Sequence, residues 1–545
     1  MSDITTYTAT IRIITINDIY QNLPDSHGQG GWSTLTTLIN QYRTNTLNKS
    51  IVIINGDFIG GSQLAEYTQG RYVIEILNYI GVDYVVIGNH ELDFTADGLI
   101  QCMTQSQCNN HQMIWLGSNV RYNDSQRTLF PCITDYATEH IKLHRKSPSH
   151  NTNSASHTNS TLLNDTMDST IGIFGLTTPA TPLLSFPGDN IIFDDLKSHC
   201  TRVINNLSSS DCIIAVTHLS MTEDKMIAQH STTCQKSITL CLAGHDHEIA
   251  IATVDDTTIV KSGQNGNHLG VIDLTIDIDI DNVTNQRTCH TYMSYQFVLN
   301  KDVECDTEIL NIVNKYQKEM DNDTPYSDLD QVISTVQYDS TLPDGMFDVC
   351  DSYICTHSSI VRTQETVFAQ LIADSMHHHY IDELCDCAII NGGFIRNNSV
   401  YPLNSQLTIR QLLNEVPFPK CVVLVRIAGR YIKQALETML SQYPIATGVF
   451  VSGLSSTLQV HVDYAQESMH RIKCIYINNT VLDENKLYKI AITKFMFLGG
   501  DHNEAFTHGT QISTDQYKVA DVFVKYITQH KQTIDPRLKR RLIIT

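Results

Sequence analysis

The stretch VDYVVIGNHELD, Val82 to Asp93, is almost continuously apolar as far as Ile87 and then breaks at Gly88 into Asn, His, Glu and Asp. A short run that is apolar on both faces reads as a strand buried on both sides. The polar residues directly after it therefore stand at the mouth of a buried strand. The same design recurs up to about residue 275. It appears in IITINDIYQN (Ile13 to Asn22), IVIINGD (Ile51 to Asp57), IGIFGLTT (Ile171 to Thr178), CIIAVTHLS (Cys212 to Ser220) and ITLCLAGHDHE (Ile238 to Glu248). Helix-like segments lie between, such as GGWSTLTTLINQYR (Gly31 to Arg43) and AEYTQGRYVIEILNYI (Ala65 to Ile80). Strand alternating with helix implies an α/β layered domain whose ligands bind at the strand ends.

The chain has 545 residues, which at roughly 150 residues per domain allows two to four domains. Its 41% hydrophobic content is ample for globular cores. Lys and Arg number 37 against 58 Asp and Glu, a net charge of −21, so the surface as a whole repels nucleic acid and acidic membranes. The one compact basic run, PRLKRRL (Pro536 to Leu542), reads as a solvated tail. No basic segment leads into an apolar one at the N-terminus, and no stretch approaches 18 continuous apolar residues, so a cytoplasmic protein without a membrane span is expected. Fifteen cysteines without CxxC pairs suit free thiols in a reducing compartment. Sequons such as those at Asn159 and Asn322 arise readily by chance in a chain this rich in Asn, Ser and Thr.

The segment from His144 to Asp168 has no periodicity and reads as a flexible surface insertion. Ile309, Ile312, Val313 and Tyr316 form a helical stripe. The expected organisation is a first domain over 1–300, a linker with helix over 301–330, and a smaller α+β domain over 331–545. The HHH run at His377 to His379 reads as a solvated helix end, and CDC at Cys385 to Cys387 as buried thiols on a strand.

The residues that terminate the strands are Asp18, Asp57, Asn89 with His90, His218, and His245 with His247. Carboxylates, an amide oxygen and imidazoles make a hard-to-borderline ligand set suited to Mn²⁺, Fe, Zn²⁺ or Co²⁺ rather than Ca²⁺. A single His after a strand is more often an ordinary packed residue. Turns and caps, however, have no reason to select His, Asn and Asp at five strand ends in one domain. Six ligands exceed the needs of one ion, whereas two ions roughly 3.5–4 Å apart clamp both oxygens of a phosphoryl transfer.

In these blocks, GDFIGG, GNHELD, THLSMTED and GHDHE, the chain resembles the calcineurin-like metallophosphoesterases. NGGFIR (Asn391 to Arg396) and FLGGD (Phe497 to Asp501) narrow the resemblance to the 5′-nucleotidase branch. It implies a four-layer α/β/β/α two-metal domain followed by a substrate-binding domain. It also implies two divalent ions bridged by Asp57, one with Asp18 and His247 and the other with Asn89, His218 and His245. His90 and Asp93 take the family's catalytic dyad, with a hydroxide held by the ions as nucleophile. Arg362, Asn391 and Arg396 fall at polar substrate contacts, Phe418 and Phe495 at the rings that sandwich the base, and Asp501 at the ribose. The implied activity is release of phosphate from nucleoside 5′-monophosphates or related small nucleotides.

Two departures stand out. The family's first block is Asp, any residue, His, with the His a ligand, and here Tyr20 takes that place. This resembles a sub-branch with Asn-Asp-Val-Tyr at the same point. Neutral tyrosine is a poor ligand beside imidazole, which leaves that ion Asp18, Asp57, His247 and water. The second departure is GGDHNEAF, where the family has an aromatic soon after GGDG. A contrasting reading is therefore a catalytically weak nucleotide-binding or regulatory protein with one impaired metal site.

Overall fold

A computed structural model describes residues 4–25, 28–44, 49–106, 112–123, 129–146, 166–185, 187–323, 326, 328–341, 347–349, 351–417, 420–514 and 517–545. The chain divides into two compact units, Met1–Gly60 with Tyr67–Glu319, and Gly61–Glu66 with Met320–Thr545.

The first unit is built on two runs of parallel strands. Ile4–Ile16, Lys49–Ile54, Tyr84–Val86 and Ile114–Leu116 pair in parallel in that order. Thr166–Thr177, Cys212–His218, Leu240–Ala243 and Thr257–Ser262 form the second run. Ile11, Ile13, Ile51 and Ile53 share one core with Ile171, Ile173, Ile214, Val216, Leu240 and Leu242, so the two runs face each other. The alternate residues Ile213, Ala215, Cys241 and Ala243 turn outward onto Leu196, Cys200, Val203 and Ile227 of the helices Leu196–Asn206 and Met221–Ser231. Helix Trp32–Thr44 packs on the strand Ile4–Ile16. The result is the expected α/β/β/α layering. It explains the near-continuous apolar runs, because each strand is covered on both faces. Parallel pairing also brings the C-terminal ends of neighbouring strands to the same edge.

The expected helix over Ala65 to Ile80 is two helices, Gln63–Thr68 and Arg71–Ile80, because Gly70 at φ 81° interrupts it. Of the insertion read from His144 to Asp168, residues 147–165 lie outside the described residues, and its ends at His144 and at Thr166–Asp168 are paired strand rather than loop. Its flanks are the antiparallel strands Tyr136–Arg145 and Thr166–Thr177. Helix Thr307–Asn322 carries the stripe of Ile309, Ile312 and Val313.

The second unit centres on a mixed sheet ordered Val451–Leu454, Cys387–Asn391, Leu487–Thr493, Val422–Ala428, Thr510–Gln511. Helices Val367–His379 and Val519–His530 share one core, and helix Gly429–Leu440 lies in another. The basic run at 536–542 is not a free tail. Leu542 pairs with Val460 in a sheet, Arg541 meets Asp374 at 2.9 Å, and the Arg541 amide donates to Glu365. Every described cysteine is a free thiol, and among the described residues no helix is long and apolar enough to cross a membrane.

Candidate metal centre

The strand ends converge. Asp18 lies two residues past Ile16, Asp57 three past Ile54, His218 ends its own strand, and His245 lies two past Ala243. Ligand atoms of Asp18, Asp57 and His218 lie within 4.8 Å of one another, and all three side chains are buried. Four of the six candidate ligands adopt left-handed backbone: Asp18 at φ 54°, Asp57 at 57°, His245 at 82° and His247 at 62°. Such residues persist only where the surroundings over-determine them, and they cluster at functional sites. Two glycines permit the convergence. A Cβ on Gly88 would lie 2.2 Å from Asp57 Oδ1, and one on Gly56, at φ 80°, would lie 2.4 Å from His218 Nδ1.

Hydrogen bonds fix which atoms face inward. His218 Nδ1 donates to the Asn55 carbonyl at 2.7 Å, which leaves Nε2 facing Asp57 Oδ2 at 3.2 Å. Asp18 Oδ2 accepts from the His245 amide and from Asn17, so Oδ1 points to His247 Nε2 at 3.2 Å. Asn89 Oδ1 is buried without a hydrogen-bond partner among the described residues, an acceptor whose burial is costly unless something positive meets it. The field has the same sign. Burial alone favours neutral acids, yet His247 and His218 pull Asp18 down to about 2, and Asp57 is held well below its usual range by His218 and His90. Burial disfavours the His218 cation, but Asp57 and Asp18 push it up to about 10. Burial and His218 hold His245 at about 4, neutral and ready to ligate. A cavity that charges a buried imidazole this strongly suits a cation, so the residues fit the implied ions.

The dyad is formed. His90 Nδ1 meets Asp93 Oδ2 at 2.8 Å, and Asp93 Oδ1 accepts from the Ser185 hydroxyl at 2.9 Å. His90 Nε2 lies 4.0 Å from Asp57 Oδ2, and the His90 amide donates to Asp57 Oδ1. Tyr20 is not beside the cluster but in it. Its oxygen lies 2.9 Å from Asp57 Oδ2, 3.2 Å from Asp18 Oδ1 and 3.2 Å from His247 Nε2.

Two further residues that the sequence alone does not single out hold the site. Glu91 is fully buried and accepts the amides of Asp57, Phe58, Ile59 and Gly88, so one carboxylate ties together two ligand-bearing loops. Burial and the Asp57 charge push it up to about 7. Lys261 is 1% exposed and donates to the carbonyls of Leu219 and Gly244, which adjoin His218 and His245. It also pairs with Asp224 at 2.8 Å and with Asp246 at 2.9 Å. A lysine inside the apolar run TIVKS is the available signal for it.

In the second unit, Asn391 ends one strand and Asp501 follows its parallel neighbour, and Asn391 Nδ2 donates to Asp501 Oδ2 at 2.8 Å. Asn391 Oδ1 is buried without a hydrogen-bond partner among the described residues. Burial raises Asp501, while Lys420, Arg396 and Arg362 lower it, which places three cations around it. Asp501 and His502 lie at φ 55° and 58°, so His502 keeps a left-handed backbone where the family pattern has Gly. Arg396 Nε donates to the Gly393 carbonyl. Phe495 is 7% exposed and belongs to a hydrophobic core, with Lys420 Nζ 3.7 Å from its ring centroid. Phe418 lies outside the described residues.

The family model for calcineurin-like phosphoesterase matches residues 11–248, and that for the 5′-nucleotidase C-terminal domain matches residues 349–508. The chain is 23% identical over 552 residues to the trifunctional nucleotide phosphoesterase protein YfkN of Bacillus subtilis (strain 168), a match that covers 98% of this chain and 35% of that protein. It is 24% identical over 510 residues to 5′-nucleotidase of Bos taurus, covering 87% of this chain and 78% of that one. Its fold matches a 5′-nucleotidase precursor from Thermus thermophilus, with a TM-score of 0.76, 18% identity, and 98% and 99% of the two chains covered. It also matches sulfate thiohydrolase SoxB of the same organism, with a TM-score of 0.69, 14% identity, and 98% and 96% covered. One fold thus serves differently named enzymes, and substrate must be argued from the site.

Proposed function

This chain joins a calcineurin-like phosphoesterase domain to a 5′-nucleotidase C-terminal domain, and we propose that it is a two-metal phosphohydrolase that releases phosphate from nucleoside 5′-monophosphates or closely related small nucleotides. The observation that carries this reading is the buried convergence of Asp18, Asp57 and His218 beside the His90–Asp93 pair. Asp57, Asp18 and His247 would hold one ion, and Asn89, His218 and His245, again with Asp57, would hold the other. When bound, the ions supply the nucleophile and neutralise the phosphate. Asp93 holds the proton on His90 Nδ1, and Ser185 holds Asp93, so His90 Nε2 is the atom presented to the phosphate oxygen and the departing group. Burial of the cluster excludes bulk water and strengthens each of these interactions.

Nucleotide recognition is assigned to residues 331–545. Arg362 and Arg396 meet anionic groups, Asn391 and Asp501 the hydroxyls, and Phe418 and Phe495 the base. The named relatives and the cationic surroundings of Asp501 support this. Free thiols throughout the described chain support a reducing, cytoplasmic setting.

The test is inorganic phosphate release from AMP, UMP and p-nitrophenyl phosphate with added Mn²⁺, Co²⁺ or Zn²⁺, with and without EDTA. Metal-dependent release from the nucleotides is expected. Tight AMP binding without turnover on any substrate would instead favour the regulatory reading.

A further inference from the structure

We infer that Lys420 is a specificity-determining residue of the nucleotide site, and that it selects bases presenting a carbonyl oxygen (hypoxanthine, guanine, uracil) over those with an amino group at the same position (adenine, cytosine). The inference rests on the reading of Phe495 as a ring that meets the base.

Both faces of the Phe495 ring are taken. A Cβ on Gly500 would lie 2.5, 2.5 and 2.6 Å from Cε1, Cζ and Cε2 of Phe495. A point equally far from three successive ring atoms stands over the centre of the ring, so the Gly500 backbone lies on one face, in a space that a side chain would close. Lys420 Nζ stands over the ring at 3.7 Å from its centroid. Gly500 already fills the first face, so the ammonium takes the other, where the ring quadrupole attracts it. A base that stacks on Phe495 therefore enters on the side of the lysine and moves the ammonium from the ring centre to the edge of the base.

The ammonium stays close when it moves. The Lys420 carbonyl accepts the Val519 amide at 3.0 Å, and the Cys421 carbonyl accepts the Lys494 amide at 2.8 Å. The segment that bears the lysine is thus tied to the segment that bears Phe495, and only the four-carbon stem swings. Asp501, the candidate ribose contact, gives the direction: burial raises its carboxyl, and Lys420 is foremost among the cations that lower it. The ammonium stands between the ring and the ribose contact, beside any base held there.

A lysine ammonium has three donors and no acceptor. O6 and N7 of guanine or hypoxanthine both accept, as does O4 of uracil, whereas the amino groups of adenine and cytosine donate. An amino base sets donor against donor and leaves the covered ammonium short of a partner, which is costly.

The test is kcat/KM for phosphate release from IMP, AMP, UMP and CMP with added Mn²⁺, for the full-length parent, Lys420→Met and Lys420→Arg. Within each pair, IMP with AMP and UMP with CMP, the nucleotides differ in carbonyl against amino group, and a ratio taken within one variant cancels any change in folding or active fraction. Both ratios should be about 5- to 150-fold in the parent and fall close to unity in Lys420→Met. Lys420→Arg, also a donor without an acceptor, should keep both above unity. Parent ratios at or below unity, parent-like ratios in Lys420→Met, or a Lys420→Arg protein as indifferent as Lys420→Met would each overturn the role of Lys420, while release from all four nucleotides upholds the phosphohydrolase reading. A parent that releases phosphate from none of the four overturns both.

Discussion

In the first unit Asp18, Asp57, His245 and His247 all stand at left-handed φ, whereas in the second Asp501 alone among the described candidate contacts does so. Each such residue costs on the order of 1 kcal/mol or more, so the metal-centre candidates hold more local strain than the candidate contacts of the second unit. It is also the unit with dedicated anchors. Glu91 gathers four amides and Lys261 two carbonyls, all close to ligands in the chain. In the second unit Asn391 donates to Asp501 and to the Gly448 carbonyl, and Arg396 to the Gly393 carbonyl, so single bonds to nearby groups hold the candidates. The contrast fits a division of labour. Ions demand ligands placed within tenths of an ångström, and a nucleotide held by stacking and a few hydrogen bonds tolerates more.

The contrast between the units is tested most severely at Asp57. Asp57→Ala should cost on the order of 10³-fold or more in kcat/KM on every phosphoester, nucleotide or not, since it removes a group needed for several kcal/mol of charge stabilisation. His90→Asn should come next with a loss of about 10²- to 10⁴-fold, carried in kcat, with metal content unchanged. Parallel loss of metal would make His90 a ligand.

Lys261→Met tests the anchors. Metal affinity should fall by roughly 10- to 100-fold, and stability by about 3–5 kcal/mol because Asp224 is left buried without its partner. Asp246→Asn, at a half-exposed side chain, should show a smaller share of the metal effect with little change in Tm. Metal titrations identical to the parent for both variants would reduce Lys261 to packing.

The second unit should respond differently. Phe418→Ala and Phe495→Ala should each lose about 5- to 150-fold on AMP and leave p-nitrophenyl phosphate nearly unchanged. The buried Phe495 ring adds a stability loss of about 3–5 kcal/mol. Equal loss on both substrates would assign these rings to the core alone.

The strand ends are legible in the sequence because a doubly buried strand has an unmistakable apolar run, and the polar residues that end it are chemically conspicuous. The two-layer pairing of those strands, and hence the shared edge for Asp57 and His218, is not in that pattern; only the family resemblance implies it, and the shared core of the two runs shows it. Glu91 is not legible. It sits inside a motif whose neighbours are candidate site residues, and only the fold reveals that its carboxylate faces four amides. The place of the Tyr20 oxygen among Asp18, Asp57 and His247 is not legible either, because a side chain's identity does not tell where its oxygen points. The burial of Phe495 is not legible either, because an aromatic in the short helix Lys494–Phe497 carries no sign in the sequence of how deeply it packs. The C-terminal basic run resembles a tail only because its partners, Asp374 and Glu365, lie far away in the chain.

The central claim is that five strand ends of one domain hold a pair of ions bridged by a single carboxylate. Equilibrium titration of the metal-free chain with Mn²⁺, with bound ions counted directly, measures this for the parent and for Asp57→Ala. The prediction is two ions per parent chain and the loss of tight binding at both sites in Asp57→Ala. Two ions bound to Asp57→Ala as tightly as to the parent would contradict it.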